Sequence, residues 1–383
     1  MKFIAKTLYG LEKVLADELR TIGASDIKIV NRAVLFGGSI ELMYRVNYCS
    51  RASLSVLRLI SSFNIGSKDD LYRKTSEIDW SALLDADNTI SVVPVINSKL
   101  FTHTKYPALI VKDAVADHFR NKAGKRPSVD TGDPDLIINV HISGSHTDIT
   151  IDSSGKPLYK RGYRTGVPLA PLNEVLAAGI IMLSGWDASC EFTDPMCGSG
   201  TFPVEAGLIA CRVPPGKFRK EFGFMRWKDY DKSLFSKVRE QCDSMIRESP
   251  VRIYGSDISE QAVKQSLANV RNARLEGTVS IEENDFRNLK PSRDDGFLFI
   301  NPPYGERLKP GDLNELYSMI GTTLKHNYSG FRAWIITSGK EFLANIGLRP
   351  KKKYTLFNGS LECILAEFEL YQGTRKHQIE LKS

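Results

Sequence analysis

Along residues 11–22 the apolar positions Leu11, Val14, Leu15, Leu19 and Ile22 recur at the spacing of one helix face, and Gly23 supplies a stop. Ile27–Val30 and Ala33–Phe36 flank Asn31-Arg32 and read as a short hairpin. Further on, Thr89–Ile96 reads as a strand and Leu109–Arg120 as a helix. Two alternating runs follow, Leu136–Ile142 and Asp148–Asp152, joined through Ser143-Gly144-Ser145. The pattern predicts a small α+β module ending near residue 152. Ser153–Asn173 then breaks both periods with Gly155, Pro157, Gly162, Gly166, Pro168 and Pro171, and no regular structure is expected there.

From Asn173 strands alternate with helices. A helix over Asn173–Leu183 leads to a strand at Glu191–Asp194 and a helix over Phe202–Ala210. Then come strand Val251–Ser256, helix Glu260–Arg274, strands Val279–Glu282 and Phe297–Ile300, helix Asn314–Lys325 and strand Phe331–Thr337. Such alternation predicts an α/β fold, a mostly parallel sheet with helices on both faces. Tyr354–Phe357 and Leu361–Leu370 flank Asn358-Gly359, a strong hairpin signal, so the sheet is expected to finish antiparallel. The tail Thr374–Ser383 is expected to fray.

Composition narrows the class. The 383 residues are 42% hydrophobic and 25% charged, as in a globular protein, and the length suggests two or three domains at roughly 150 residues each. The longest apolar stretch, Val175–Leu183, contains a glycine and falls far short of the roughly 18 residues a membrane helix needs. Met1–Gly10 holds no apolar signal core. A cytoplasmic protein with no membrane partner is therefore expected. Six dispersed cysteines form no C-x-x-C pair, which predicts reduced thiols and no metal site. The net charge of +7 reads equally as a mark of a polyanionic partner and as an unremarkable excess.

Four loops carry candidate chemistry. Asp194-Pro195-Met196-Cys197-Gly198-Ser199-Gly200-Thr201 lies between a strand and a helix, where glycines let a ligand approach the backbone. It is neither a G-x-G-x-x-G fingerprint nor a P-loop. Its leading acid suits a cationic amino group better than a phosphate. Asp257, ending the strand Tyr254-Gly255-Ser256, could accept from ribose hydroxyls or cap the next helix. It stands well beyond the roughly 20 residues past the glycines of a simple βαβ unit, so Arg212–Glu248 reads as an insertion. That insertion holds Lys217, Arg219, Lys220, Phe222, Phe224 and Trp227, which suit either stacking on nucleic acid or a small apolar core. Glu283-Asn284-Asp285-Phe286 follows a third strand and suits an adenine or a plain turn. Asn301-Pro302-Pro303-Tyr304-Gly305 follows the apolar strand Phe297–Ile300. Asn301 Oδ1 and the Pro302 carbonyl offer two acceptors to one exocyclic amine, and Tyr304 a flat face for a flipped base. The chemistry demands no catalytic His, Cys or metal.

With these motifs in order, the chain resembles the S-adenosylmethionine-dependent methyltransferases of the N-P-P-Y class. It is most similar to THUMP-domain rRNA guanine-N2 methyltransferases, the guanine-N2 half of the bifunctional bacterial 23S rRNA enzyme. The likeness runs through Tyr9–Glu12 with Leu15–Leu19, Lys160–Arg164, Ala170–Leu172 with Glu174 and Leu176–Ala178, Asp194–Thr201, Tyr254–Asp257 and Asn301–Leu308. It implies a ferredoxin-like region over 1–43, a THUMP RNA-binding domain over 44–154 and a linker over 155–172. A Rossmann-like methyltransferase with a seven-stranded, mostly parallel sheet would occupy 173–383.

The resemblance implies methyl transfer from S-adenosylmethionine to the exocyclic N2 of a guanine in 23S rRNA or a precursor ribosomal particle. Asn301, Pro302, Pro303 and Tyr304 would be catalytic. Asp194 with Pro195, Cys197, Gly198, Ser199, Gly200 and Thr201 would hold the amino-acid part of the cofactor, Asp257 with Ile258 the ribose, and Asp285 with Phe286 the adenine. Asn173 and Glu174 read equally as a closure over the cofactor and as a helix cap. Lys160, Arg161 and Arg164 of the linker, Lys217, Arg219 and Lys220 of the insertion and the run Arg349–Lys353 would grip RNA phosphates, with a solvated hinge an equal reading of the linker cations and a solvated charged turn of the last run. Rival readings are a tRNA guanine-N2 enzyme, a DNA N6-adenine enzyme and a non-catalytic RNA-binding protein.

Overall fold

Gly296-Phe297-Leu298-Phe299-Ile300 is buried without exception, as a central strand covered on both faces requires. The computed structural model describes residues 1–164, 171–303 and 310–371. In chain order these form β1 (Lys2–Lys6), α1 (Glu12–Ile22), β2 (Ser25–Val30), β3 (Ala33–Gly37), α2 (Ile40–Cys49), β4 (Ser55–Asn64), α3 (Lys68–Ser76), β5 (Thr89–Asn97), α4 (Tyr106–Ala123), β6 (Ser128–Val129), β7 (Leu136–Ser143) and β8 (His146–Asp152). There follow α5 (Glu174–Ser184), β9 (Glu191–Asp194), α6 (Thr201–Ala210), α7 (Lys232–Asp243), β10 (Ile253–Asp257), α8 (Glu260–Asn272), β11 (Val279–Glu283), β12 (Gly296–Ile300), α9 (Pro310–Asn327), β13 (Arg332–Thr337), β14 (Lys352–Asn358) and β15 (Leu361–Glu369). They divide into two units: Met1–Thr7, Ala16–Leu158 and Arg219–Cys242 make the first, and Leu8–Leu15, Tyr159–Phe218 and Asp243–Ser383 the second.

In the first unit one sheet runs in the order β2-β3-β1-β4-β8-β7-β5-β6. It passes through both sides of the division expected at residue 43, which itself falls inside α2. The insertion residues 219–242 are part of this unit. Phe224 packs its ring 4.5 Å from that of Tyr44 and stacks on Phe222 at 5.3 Å, while Phe235 meets Tyr44 and Tyr48 edge-on. Phe222, Phe224 and Trp227 are all buried. The aromatic residues of the insertion are turned inward: Phe222, Phe224, Tyr230 and Phe235 pack on one another in a small apolar core, which Tyr44 and Tyr48 of α2 join. Phe235, Val238 and Cys242 are the buried stripe of α7, at the spacing of one helix face.

The second unit carries a seven-stranded sheet in the order β11-β10-β9-β12-β13-β15-β14. The first five strands are parallel, β15 runs antiparallel to β13 and β14 antiparallel to β15, with Gly359 at φ +65° turning the β14–β15 hairpin. Helix α9 buries Leu313, Tyr317, Ile320 and Leu324 along one face, against Leu298, Ile300 and Ile335. Phe192 of β9 stacks on Phe299 of β12 at 4.6 Å. Leu8–Leu15 also belong here. At Gly10, φ is +87° and a Cβ would come within 2.8 Å of the Thr355 carbonyl, so only glycine suits the turn. Leu11 fills the space that a side chain at Gly179 would take.

Candidate active site

The strand order reverses direction between β9 and β12, the place where open parallel sheets form a crevice at their carboxyl ends. Asp194 pairs with Gly255 of β10, and Thr193 with Leu298 of β12. The loops leaving the three strands consequently rise side by side. Above them lies a cavity of about 1020 Å³, lined by Asp194, Pro195, Cys197, Gly198, Ser199, Thr201, Asp257, Ile258, Asp285, Phe286, Asn301 and Pro303 among others. Gly200 and Pro302 belong to the same loops without lining it, and Tyr304 lies outside the described residues.

The loop after β9 is held by its own backbone. The Cys197 N–H donates to Ser256 O at 2.8 Å, the Gly198 N–H to Asp257 Oδ2 at 2.9 Å, and Asn269 Nδ2 to Ser199 O at 2.9 Å. At Gly200, φ is +78° and a Cβ would fall 2.2 Å from Ser266 Oγ, which requires glycine on two counts. Asp257 does not cap α8, because Ser259 does so by accepting from the Ala262 N–H.

Electrostatics single out Asp194. It is buried, and burial pushes its carboxyl well above the ordinary range, reinforced by the negative charge of Asp257 and opposed by the Met196 N–H. Neither Asp194 nor Asp257 is salt-bridged to a cation among the described residues, so no internal cation offsets the cost of ionising Asp194. Burial, then Asp194 and Asp257, also push the Cys197 thiol well up, which leaves it a packing group rather than a nucleophile. Asp285 is engaged already: the Arg287 guanidinium donates to both of its oxygens and holds its carboxyl below the usual range.

Asn301 lines the cavity, yet its Oδ1 is buried and has no hydrogen-bond partner among the described residues. Leaving such an acceptor unmet costs about 1–3 kcal/mol. An unmet buried acceptor on a residue that lines a cavity is a group a donor would satisfy.

Several expected contacts take other roles. Asn173 caps α5, its Oδ1 accepting from Val175 and Leu176 N–H, and Glu174 pairs with Arg164 at 2.8 Å; neither lines the cavity. Arg164 is thereby turned inward, and Arg161 is buried with its Nε 3.5 Å from Glu205. Lys217 pairs with Asp243 at 2.7 Å. Arg219 donates to the carbonyls of Ser154, Lys156 and Pro157 and lies over Phe222. These four have internal partners; Lys160 and Lys220 are exposed. Of the run Arg349–Lys353, Lys351 pairs with Glu369, and the run enters β14, which lies parallel to β13. Its start is at the amino end of the sheet, opposite the cavity.

Helices α8 and α9 supply lining residues that carried no motif: Gln261, Ala262 and Gln265 from the first, Asp312, Glu315, Leu316 and Met319 from the second. Their spacing is that of one helix face, a signal that surface positions share.

A family profile described as "RMKL-like, methyltransferase domain" matches residues 161–367, more than half of the chain. The chain belongs to the RMKL-like methyltransferase family. Profiles for a THUMP domain and an RlmL ferredoxin-like domain match residues 66–152 and 2–57. This RMKL-like methyltransferase is 33% identical over 96% of its length to slr0064 of Synechocystis sp., provisionally named an RNA methyltransferase, and covers 97% of that protein. It is 36% identical to "Ribosomal RNA large subunit methyltransferase K/L" of Syntrophotalea carbinolica, with 97% of this chain covering 54% of the relative. The chain thus spans about half the length of the K/L relatives. Among solved structures it superposes on SMU.472, provisionally titled a methyltransferase and complexed with SAH. That match has a TM-score of 0.87, 29% identity and coverage of 97% of this chain and 99% of the other. Among the described residues, no helix is long and apolar enough to cross a membrane.

Proposed function

We propose that this RMKL-like methyltransferase moves a methyl group from S-adenosylmethionine to the exocyclic N2 of a guanine in 23S rRNA. The observation that carries the reading is Asn301, which lines the cavity at the switch point and whose buried Oδ1 has no hydrogen-bond partner among the described residues. When bound, S-adenosylmethionine supplies an electrophilic methyl on a cationic sulfonium. The residues suit it: Asp194, unsalted and buried, takes the cationic amino group, Asp257 the ribose hydroxyls, and Asp285, beside Phe286, the adenine amine through the lone pairs that Arg287 leaves open.

Asn301 Oδ1 accepts one N–H of the base amine and the Pro302 carbonyl the second. Both bonds strengthen as the nitrogen lone pair leaves ring conjugation and charge builds on the nitrogen. Tyr304 stacks on the flipped base. Residues 1–154 act as the RNA-holding region, supported by the THUMP and ferredoxin-like matches, with exposed Lys160 and Lys220 contacting phosphates.

Labelled S-adenosylmethionine, offered with total rRNA, tRNA, DNA and an immature large subunit, followed by digestion to nucleosides, tests the reading. N2-methylguanosine from 23S rRNA or its precursor particle is expected. Label confined to tRNA, or methyladenine from DNA, overturns the substrate. No label in any of the four substrates overturns the activity.

A further inference from the structure

We propose that Arg164 is a positioning residue for the cofactor, acting through the two hydroxyls of the loop after β9. Its guanidinium donates from Nη1 to Ser199 Oγ and from Nη2 to Thr201 Oγ1, each at 2.9 Å, while Nε donates to Glu174 Oε1 at 2.8 Å. Nη2 also reaches the Leu172 carbonyl at 3.5 Å. One planar fork therefore joins the first turn of α5 to the loop and to the first residue of α6. A lysine, with a single ammonium, cannot reproduce three fixed directions.

The contacts are sheltered: the side chains of Arg164 and Glu174 are 15% and 8% exposed. Ser199 and Thr201 both line the cavity. Asp257 and Asn269 hold the same loop from the side of β10 and α8. Arg164 supplies the opposing side. The loop contains two residues with positive φ, Gly198 and Gly200, which have the widest conformational choice when unbound. Fixing it before the ligand arrives lowers the entropy cost of binding. The inference rests on reading the cavity as the cofactor's site.

Titration calorimetry with S-adenosylhomocysteine tests it on the full chain, beside a gel shift with 23S rRNA. Wild-type protein is expected to bind. Arg164→Ala is expected to bind roughly 10- to 100-fold more weakly, the loss of charge-assisted hydrogen bonds, with RNA affinity unchanged. Arg164→Lys should recover little. Ser199→Ala with Thr201→Val should weaken binding alone, and Arg164→Ala should then add almost nothing in that background. Should Arg164→Ala fail to fold because Glu174 is left unpaired, Arg164→Met with Glu174→Gln replaces it in the cycle. Equal affinity in wild type and Arg164→Ala overturns the clamp. So does an Arg164 effect that persists undiminished without the two hydroxyls, or a loss of RNA affinity with cofactor affinity intact. A wild-type protein that binds no S-adenosylhomocysteine overturns the reading of the cavity, and the clamp with it.

Discussion

The backbone N–H of Gly198 donates to Asp257 Oδ2 at 2.9 Å, tying the turn after one strand to the acid that ends its neighbour. Asp257 thus shapes the loop as well as offering its remaining lone pairs to a ligand. Asp257→Ala removes both functions and is expected to weaken S-adenosylhomocysteine binding by roughly 10- to 100-fold. Asp257→Asn, which keeps an acceptor for Gly198, should lose less. Calorimetry on the two variants separates these effects.

Asp194 gives cofactor binding a pH dependence of known sign. Its carboxyl is raised well above the ordinary range by burial, with the Asp257 charge adding to the effect. A cationic amino group favours the ionised form, so binding releases a proton at low pH and tightens as pH rises through the raised value. In the cofactor-free protein the linkage runs the other way. The stability contributed by Asp194 is fully present below the unfolded carboxylate pKa of about 3.9 and is lost as pH rises through the raised one. Asp194→Asn should therefore raise the melting temperature of the cofactor-free protein at neutral pH. It should also lower cofactor affinity and flatten its pH profile.

Phe224 tests the placement of the insertion. Fully buried against Tyr44, it should cost about 3–5 kcal/mol when cut to alanine, read from urea unfolding of the first unit. An RNA-stacking role predicts instead a loss of RNA affinity with stability intact.

Arg161 and Glu205 are 2% and 0% exposed, and Glu205 Oε2 has no hydrogen-bond partner among the described residues. Removing one member leaves a buried charge. Arg161→Met is expected to destabilise by about 3–5 kcal/mol, and adding Glu205→Gln should restore much of the loss. A surface role in gripping phosphates predicts no change in melting temperature for either variant.

Much of the second unit was legible in sequence because its loops are punctuated. Asp194–Thr201 and Asn301–Pro303 carry glycines and prolines whose backbone demands are local, and the strand before the second is short and apolar. The hairpin at Gly359 follows from equally local chemistry. Elements such as β4 escaped because a register shift between Leu59 and Ser61 breaks its alternation. The basic residues were read least well. Arg161, Arg164, Lys217 and Arg219 have internal partners far along the chain, and a cation's identity does not report whether it faces water or a buried carboxylate. Phe224 shows the same limit for aromatic residues, since Tyr44 is its neighbour only after folding.

The central claim rests on Asn301. The most direct measurement is single-turnover methyl transfer to 23S rRNA or its precursor particle by Asn301→Ala, beside its affinity for S-adenosylhomocysteine. The expected loss of rate is roughly 100- to 1,000-fold, the scale of removing one charge-stabilising group, with cofactor affinity within a few-fold of wild type. A variant that transfers methyl at the wild-type rate, or loses activity only in proportion to lost cofactor binding, would contradict it.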